Sequence, residues 1–123
     1  RAKTIFKRAK YTHTGDFMKN ISIDFSKGKG LAPAIIQDYQ NGIVYMLGFM
    51  NEEALKKTIE TGWIYFWSRS RNRIWMKGEE SGNTLKAKKI LIDCDNDTLL
   101  VKVELDGTNV CHTGNMTCFF RKI

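Results

Sequence analysis

The sequence predicts a mainly β fold, on the border of α+β, with twisted antiparallel sheets that form a pseudobarrel and one short helix at about residues 51–61. Three observations predict it: a hairpin signal near residue 41, several strand-length segments in which apolar residues alternate, and a single amphipathic segment with capping residues. The chain has 123 residues, which is the length of one domain. We therefore expect one domain over residues 1–123, with a loosely ordered basic segment over residues 1–20.

The first half of the chain contains the hairpin signal. A brief alternation over residues 21–25 predicts a short strand, and the glycines that follow it predict a loop. Two apolar segments, residues 34–39 and 43–47, then flank Asn41-Gly42. Because both of these residues tolerate positive φ, the pair predicts a hairpin between the two segments.

Residues 51–61 have the pattern of the one helix. Asn51 is a suitable N-cap, and two glutamates occupy the first turn, where the helix dipole favours anions. Leu55 and Ile59 supply the predicted apolar face, and Gly62 is placed to end the helix. The segment is short, so we expect it to serve as scaffold.

The second half of the chain predicts further strands. The aromatic run at residues 63–67 predicts a strand buried on both faces, and an apolar run resumes at residues 74–76. Polar and glycine-rich residues separate these segments from the next. The remaining predicted strands are residues 84–92, the alternating and half-buried residues 99–105, and a last short strand at residues 118–121.

The composition favours an anionic partner and a reducing compartment. The formal net charge of +7 favours nucleic acid, phosphorylated metabolites or acidic proteins as partners. No run of about 18 apolar residues suggests a membrane span, and no apolar segment of a secretory signal follows the basic start. In the cytoplasm that this favours, clustered cysteines more often bind metal or act chemically than form disulfides.

One acidic segment combines two kinds of metal ligand. If it is extended, Asp93, Asp95 and Asp97 face one way and Cys94 the other. Carboxylates at this spacing suit a hard ion such as Mg²⁺ or Ca²⁺, whereas a thiolate suits Zn²⁺. An acidic turn with a buried cysteine is an equally simple alternative. An EF-hand loop is excluded because Thr98 takes the position at which the sharp turn needs glycine.

All three cysteines, Cys94, Cys111 and Cys118, lie in the C-terminal part of the chain. Three thiolates with one open position are the ligand count of catalytic zinc sites, although three inert buried cysteines would give the same spacing. His112, beside Cys111, is a candidate fourth ligand, a general base toward a zinc-activated water, or a core histidine. The residues alone leave these alternatives open.

Two segments that mix cations, hydroxyls and flexible backbone are candidates for phosphate binding, because guanidinium, hydroxyl and backbone N–H groups commonly hold phosphate. They comprise Ser68, Arg69, Ser70 and Arg71 in the first segment, and Lys77, Ser81, Gly82 and Asn83 in the second. A zinc-stabilised nucleic-acid-binding module that uses the basic and aromatic residues 63–77 is the alternative from another class. A magnesium-dependent phosphohydrolase is a further reading, but it leaves the three cysteines without a role.

The order of these motifs resembles the phosphoribosyl-AMP cyclohydrolases of histidine biosynthesis. The motifs are Trp67-Ser68-Arg69-Ser70-Arg71, Lys77-Gly78-Glu79, Ser81-Gly82-Asn83, Asp93-Cys94-Asp95 with Asp97, Cys111-His112-Thr113-Gly114, and Cys118-Phe119-Phe120. The resemblance begins near Gly30 and covers about three quarters of the chain. The combination in this order is highly specific, although no single motif is.

The resemblance implies a hydrolase that opens the adenine ring of phosphoribosyl-AMP between N1 and C6, giving the phosphoribosyl-formimino-AICAR-phosphate intermediate. It implies Zn²⁺ in each subunit on Cys94, Cys111 and Cys118, and Mg²⁺ on Asp93, Asp95 and Asp97. It also implies an intertwined homodimer that shares the zinc site, in the cytoplasm, with no nucleic-acid or membrane partner. On this basis we expect His112 to be catalytic, and Trp67 to join the two cationic segments in binding the substrate.

Overall fold

The chain forms six β-strands, one α-helix and a short 3-10 helix within residues 22–123, the part that the computed structural model describes. The expectation for residues 1–20 lies outside this part. The strands are β1 Ala32–Asp38, β2 Val44–Met50, β3 Tyr65–Ser68, β4 Arg73–Met76, β5 Thr84–Ile92 and β6 Leu99–Asp106; α1 is Glu52–Thr61, and the 3-10 helix is Phe25–Gly28. The prediction of a mainly β fold with one helix is confirmed.

Two hairpins combine into one four-stranded sheet with the order β2-β1-β6-β5. Strands β1 and β2 pair antiparallel, as do β5 and β6, but the two hairpins meet through a parallel pair, β1 with β6, in which Ala34 lies opposite Leu99. Strands β3 and β4 form a separate antiparallel ribbon. The antiparallel expectation therefore holds within each hairpin, and the parallel junction between them is an addition to it.

The hairpin predicted around Asn41 is present, with a five-residue connection between β1 and β2. The Asp38 carboxylate accepts hydrogen bonds from the backbone N–H groups of Gln40 and Asn41, both at 2.8 Å. The Asn41 side chain accepts from the N–H of Ile43 at 2.9 Å. These side chains satisfy the backbone donors of the loop, which is the usual role of Asp and Asn in turns.

Helix α1 has the predicted ends. The Asn51 side chain accepts a hydrogen bond from the N–H of Ala54 at 2.8 Å, and Gly62 closes the helix with a left-handed φ of 85°. The buried helix positions are Ala54 and Thr58, whereas the expected apolar face at Leu55 and Ile59 is only partly buried. Small residues face the core because the helix packs closely against the neighbouring strands.

Three expectations about strands are wrong. The aromatic run is not buried on both faces: Ile64 and Phe66 are buried, whereas Trp63, Tyr65 and Trp67 are partly exposed. Lysine side chains lie over two of the exposed rings, with the Lys57 and Lys86 ammonium groups 5.6 and 5.8 Å from the centroids of Tyr65 and Trp63. No strand forms over residues 118–121. That segment follows the outer edge of β2, where the Cys118 N–H donates to the Tyr45 carbonyl at 2.8 Å. The strand expected at residues 21–25 is also absent from its described part, residues 22–25, since the 3-10 helix starts at Phe25.

The hydrophobic core lies between the four-stranded sheet, α1 and the ribbon, and it includes buried residues from every strand except β4, together with Ala54 of α1 and Val110. Ile74 and Trp75 of β4 are partly buried and pack against it. The ribbon packs closely against the sheet at Gly48, where the Phe66 ring occupies the space that a side chain on residue 48 would fill. The same ring packs against Trp75, with ring centroids 5.3 Å apart. No helix in the described part of the chain is long and apolar enough to span a membrane.

Candidate active site

A cavity of about 520 Å³ opens between β4, the loop that follows it and the C-terminal loop. We call it the main cavity. It brings together seven of the residues singled out from the sequence, namely Ser68, Arg71, Lys77, Ser81, Asn83, Cys111 and His112. Residues that are up to 44 positions apart in the chain therefore share one concave surface, which is the usual setting of a small-molecule site.

A second cavity of about 540 Å³, the aromatic cavity, adjoins the first. It contains the other predicted residues of the first cationic segment, Trp67, Arg69 and Ser70, and the two cavities share Ser68 and Trp75. The Arg69 guanidinium lies 4.0 Å from the centroid of the Phe49 ring. The cationic segment is therefore divided between two cavities. Gly82 lines neither of them.

The turn between β3 and β4 sets this division. The Ser68 hydroxyl accepts a hydrogen bond from the N–H of Arg71 at 3.1 Å, and the Ser68 carbonyl accepts from the N–H of Asn72 at 2.9 Å. These bonds close the chain into a tight turn, so that Arg69 borders the aromatic cavity and Arg71 borders the main cavity. Within residues 22–123, neither arginine forms a salt bridge with a carboxylate. Both are therefore available to an anionic ligand.

Lys77 connects the main cavity to the cysteine loop. Its ammonium group donates to the Val110 carbonyl at 2.7 Å. Burial lowers the pKa of Lys77, while the nearby thiols of Cys118 and Cys111 act in the opposite direction. The ammonium group is therefore within electrostatic reach of both sulfurs.

Cys111 lines the main cavity, and Cys118 lies next to it. The Cys111 sulfur is 3.0 Å from the Thr113 hydroxyl, and hydrogen bonding to Thr113 lowers the pKa of Cys111. Partial burial of its sulfur raises the pKa of Cys118, and the neighbouring Cys111 thiol adds to this rise. Two thiols with opposite pKa shifts, one favouring the thiolate, are a suitable start for a soft-metal site. His112 is exposed beside them.

The three aspartates converge, but for a different reason from the one expected. Residues 93–98 form the turn between β5 and β6 and are not extended. Asp93 Oδ1 accepts from the N–H groups of Asp97 and Thr98 at 3.0 and 3.1 Å, which curls the turn. As a result, one carboxylate oxygen from each of Asp93, Asp95 and Asp97 lies within 4.8 Å of the others.

The pKa values of Asp93 and Asp95 in this turn are shifted in opposite directions. The hydrogen bond with Asp93 and the charges of its neighbours raise the pKa of Asp95. Desolvation acts to raise the pKa of Asp93, but the N–H groups of Asp97 and Thr98 outweigh it and the pKa falls. The Lys27 ammonium donates to the Asp95 carbonyl at 2.8 Å and lies 3.8 and 3.7 Å from the Asp95 and Asp97 carboxylates. A hard cation fits this donor set, because it consists of oxygen atoms alone.

Cys94 is separated from the other two cysteines. It is exposed in the aspartate turn, whereas Cys111 and Cys118 belong to the segment that follows the outer edge of β2. Strand β1 lies between β2 and the β5–β6 hairpin in the sheet. Within residues 22–123, the three aspartates are the one group of three or more potential metal ligands, so a single chain does not assemble the three thiols.

Several residues that line the main cavity were given no individual site role from the sequence, among them Arg73, Trp75, Glu79 and Asn109. Glu79 accepts from Arg73 at 3.0 Å and from the N–H of Met76 at 2.9 Å, and these contacts lower its pKa. The place of Glu79 in the Lys77-Gly78-Glu79 motif was a sequence signal that could have indicated this role. Asn109 donates to the Cys111 carbonyl at 2.9 Å. A single asparagine in a loop gives no sequence signal for such a contact.

Comparison with known proteins identifies the family. A sequence model described as phosphoribosyl-AMP cyclohydrolase matches residues 46–120. A protein of Pelobacter propionicus with that name is 59% identical over 102 residues, covering 83% of this chain and 82% of the relative. Relatives of the same name from Listeria innocua and Clostridium botulinum are each 58% identical, over 83% and 80% of this chain and 94% and 88% of their own lengths. The chain therefore belongs to the phosphoribosyl-AMP cyclohydrolase family.

Proposed function

We propose that this chain hydrolyses the N1–C6 bond of the adenine ring of phosphoribosyl-AMP, a step of L-histidine biosynthesis, in a zinc-dependent reaction. The observation that carries the proposal is the main cavity, which brings Cys111 and His112 onto one concave surface with the cations Arg71 and Lys77 in a chain of this family. Ring opening of a phosphorylated nucleotide needs a group that activates water and a group that binds phosphate within one site, so that the reactants are held in position.

The cationic side of the two cavities would bind the substrate phosphates. Arg69 and Arg71 form no salt bridge with a carboxylate within the described residues, although the Arg71 charge helps to lower the pKa of Glu79. The hydroxyls of Ser68, Ser70 and Ser81 border the same surfaces. Guanidinium forks and hydroxyl donors suit phosphate oxygens. Trp67 and Asn83 are proposed to contact the rest of the nucleotide. Gly82, with a φ of +83°, allows the loop after β4 to turn.

His112 is proposed to move the proton of the reaction. A water oxygen bonds to C6 while the C6–N1 bond breaks; the exocyclic nitrogen stays on C6, which becomes a carboxamide, and N1 gains a proton. An exposed imidazole on the cavity wall can take the proton from water and return it to N1. The product is the phosphoribosyl-formimino-AICAR-phosphate intermediate, and the net change is the addition of one water.

The thiols fit a zinc site only in part within one chain. Cys111 and Cys118 lie together and Cys94 lies apart, so we propose a homodimer in which Cys94 of a second copy completes the zinc site. Bound zinc would polarise water for attack on an electron-poor carbon. Three free cysteines suit a reducing compartment, which supports the cytoplasm as the location.

Asp93, Asp95 and Asp97 are the proposed magnesium ligands. Their oxygen atoms lie within 4.8 Å of one another, and they belong to the same turn as Cys94. If Cys94 reaches the zinc site of a second copy, the proposed magnesium site lies beside that site as well.

The test is ring opening of phosphoribosyl-AMP followed by absorbance, with zinc content measured on the same samples. We expect activity that a zinc chelator abolishes and added zinc restores. His112→Ala should lower kcat by about 10²- to 10⁴-fold, the range of general acid–base catalysis, while zinc content stays near wild type. Met116→Ala, in the same loop but outside the main cavity, is the matched control and should keep full activity.

Two results would contradict the proposal. Wild-type activity that is absent, or indifferent to removal of the metal, would overturn the zinc-dependent reaction. Loss of zinc together with activity in His112→Ala would make this residue a ligand, and the proposed proton transfer would then be wrong.

A further inference from the structure

Two asparagine side chains connect the loop after β4, residues 77–83, which we call the rim of the main cavity, to the Cys111–His112 segment. Asn83, at the end of the rim, donates through Nδ2 to Asn109 Oδ1 at 3.4 Å. Asn109 Nδ2 in turn donates to the Cys111 carbonyl at 2.9 Å. Both asparagines line the main cavity. A relay of side-chain amides therefore runs from the rim to the peptide bond that joins Cys111 to His112.

The fold fixes the orientation of the first amide. Asn83 Oδ1 accepts from the N–H of Thr108 at 2.9 Å, so its Nδ2 group is directed to Asn109. A side chain on Gly107 would overlap Asn83 Oδ1, and one on Gly78 would overlap the Asn83 carbonyl. Glycine at these two positions leaves the space that Asn83 needs.

The second amide is fixed in the same way. Asn109 Oδ1 accepts from the Thr108 hydroxyl at 2.8 Å as well as from Asn83, so the Nδ2 group of Asn109 faces the Cys111 carbonyl. The N–H of Gly114 donates to that carbonyl from the other side, at 3.0 Å. The Cys111–His112 peptide plane is therefore held from both sides.

His112 depends on this peptide plane for its position. Its imidazole makes no hydrogen bond, ion pair or ring contact within residues 22–123. The direction of the His112 side chain is therefore set by the backbone that carries it, and the Cys111 carbonyl belongs to the peptide immediately before that side chain. A rotation of the Cys111–His112 peptide plane would therefore shift the position of the His112 imidazole.

We infer that Asn109 is a positioning residue for the proposed ring opening: it fixes the Cys111–His112 peptide and links it, through Asn83, to the rim of the cavity. The inference rests on the proposed function. Asn109 acts here through the backbone of His112 and is assigned no contact with the reacting atoms. Misplacing a catalytic group by about 1 Å commonly costs about 10²-fold in rate, which sets the scale of the effect.

The test is Asn109→Asp, which keeps the shape of the side chain but replaces the Nδ2 donor with an oxygen atom that the Cys111 carbonyl repels. We expect kcat to fall by about 10- to 100-fold, with KM, zinc content and Tm close to wild type. The imidazole resonances of His112 in an NMR spectrum should shift in the same variant. Asn41→Asp is the matched control, because it makes the same charge change in the β1–β2 loop and keeps the acceptor for the N–H of Ile43.

The outcomes separate this inference from the proposed function. An inactive wild-type protein would contradict the proposed function, and unshifted His112 resonances in Asn109→Asp would still overturn the inference on their own. An active wild type with an unchanged kcat in Asn109→Asp would overturn the inference alone. A loss of kcat accompanied by loss of Tm or zinc would mean that Asn109 is structural, and would also overturn it.

Discussion

Replacing Gly48 with alanine should destabilise the fold through one identifiable contact. A Cβ atom at residue 48 would lie 2.5 Å from a carbon of the Phe66 ring, whereas an ordinary contact is 3.4–4 Å. The ring must therefore move by about 1 Å, but Phe66 is only 1% exposed and already packs on Trp75. Overpacking of this kind costs about 1–3 kcal/mol.

The backbone of Gly48 reduces this loss slightly. Its φ lies outside the left-handed region, so alanine can adopt it, and replacing glycine in a strand recovers about 0.5–1 kcal/mol. We expect a net loss of about 1–2 kcal/mol in the free energy of unfolding and a fall of about 5–10 °C in Tm. Urea unfolding followed by tryptophan fluorescence measures this loss in the free energy of unfolding. The protein concentration is kept fixed because the proposed dimer would make stability concentration-dependent.

A second substitution tests the assigned cause. Phe66→Leu shortens the ring side chain, so the double variant Gly48→Ala/Phe66→Leu should lose less stability than the sum of the two single variants, by about 0.5 kcal/mol or more. Strictly additive losses, or a Gly48→Ala protein as stable as wild type, would refute the argument that the ribbon and the sheet meet by close packing at this point.

Two further predictions concern charge. Lys27→Gln should tighten Mg²⁺ binding to the aspartate turn by about fivefold, as measured by calorimetry. The reason is that the Lys27 ammonium group repels a cation and already contacts Asp95. Lys29→Gln removes the same charge without that contact and should change the affinity little, whereas weaker binding in Lys27→Gln would contradict the prediction. Burial and the hydrogen bond to Asp38 raise the pKa of Tyr45 from 10.0 to about 12, so the stability this group contributes should be intact below about pH 10 and lost as the pH rises toward about 12. Tyr45→Phe should remove this part of the pH dependence of unfolding, and identical profiles for the two proteins would contradict it.

Local signals predicted the elements of this fold well because each depends on a few neighbouring residues. Asn51 and Gly62 have the cap geometry expected of them, and the alternation along residues 99–105 matches the buried positions of β6. The parallel β1–β6 pair could not be predicted in this way, since it joins segments distant in the sequence. Residues 118–121 misled because Phe119 and Phe120 are apolar yet 63% and 45% exposed, which strand propensity alone does not anticipate.

The candidate site shows the same division. The residue types at Cys111, His112 and the aspartates were sufficient to select them, because thiol, imidazole and carboxylate chemistry is visible in the letters themselves. The convergence of the aspartates comes from a turn closed by the Asp93 carboxylate, a feature of backbone geometry. Asn109 was missed because its contribution lies in a single contact with a carbonyl group.

The parallel pairing of β1 with β6 also bears on how the chain folds. Each hairpin closes a short loop, whereas Ala34 must pair with Leu99, 65 positions away in the sequence. We therefore expect this non-local pairing to be the slow step of folding. The aspartate turn belongs to the β5–β6 hairpin and can form before that step. The main cavity joins residues 68–83 to residues 109–114, and the segment after β6 that carries the latter bonds to the outer edge of β2 at Cys118. We therefore expect the cavity to be completed only after the two hairpins meet. A folding intermediate would therefore have the acidic turn in place before it has a substrate site.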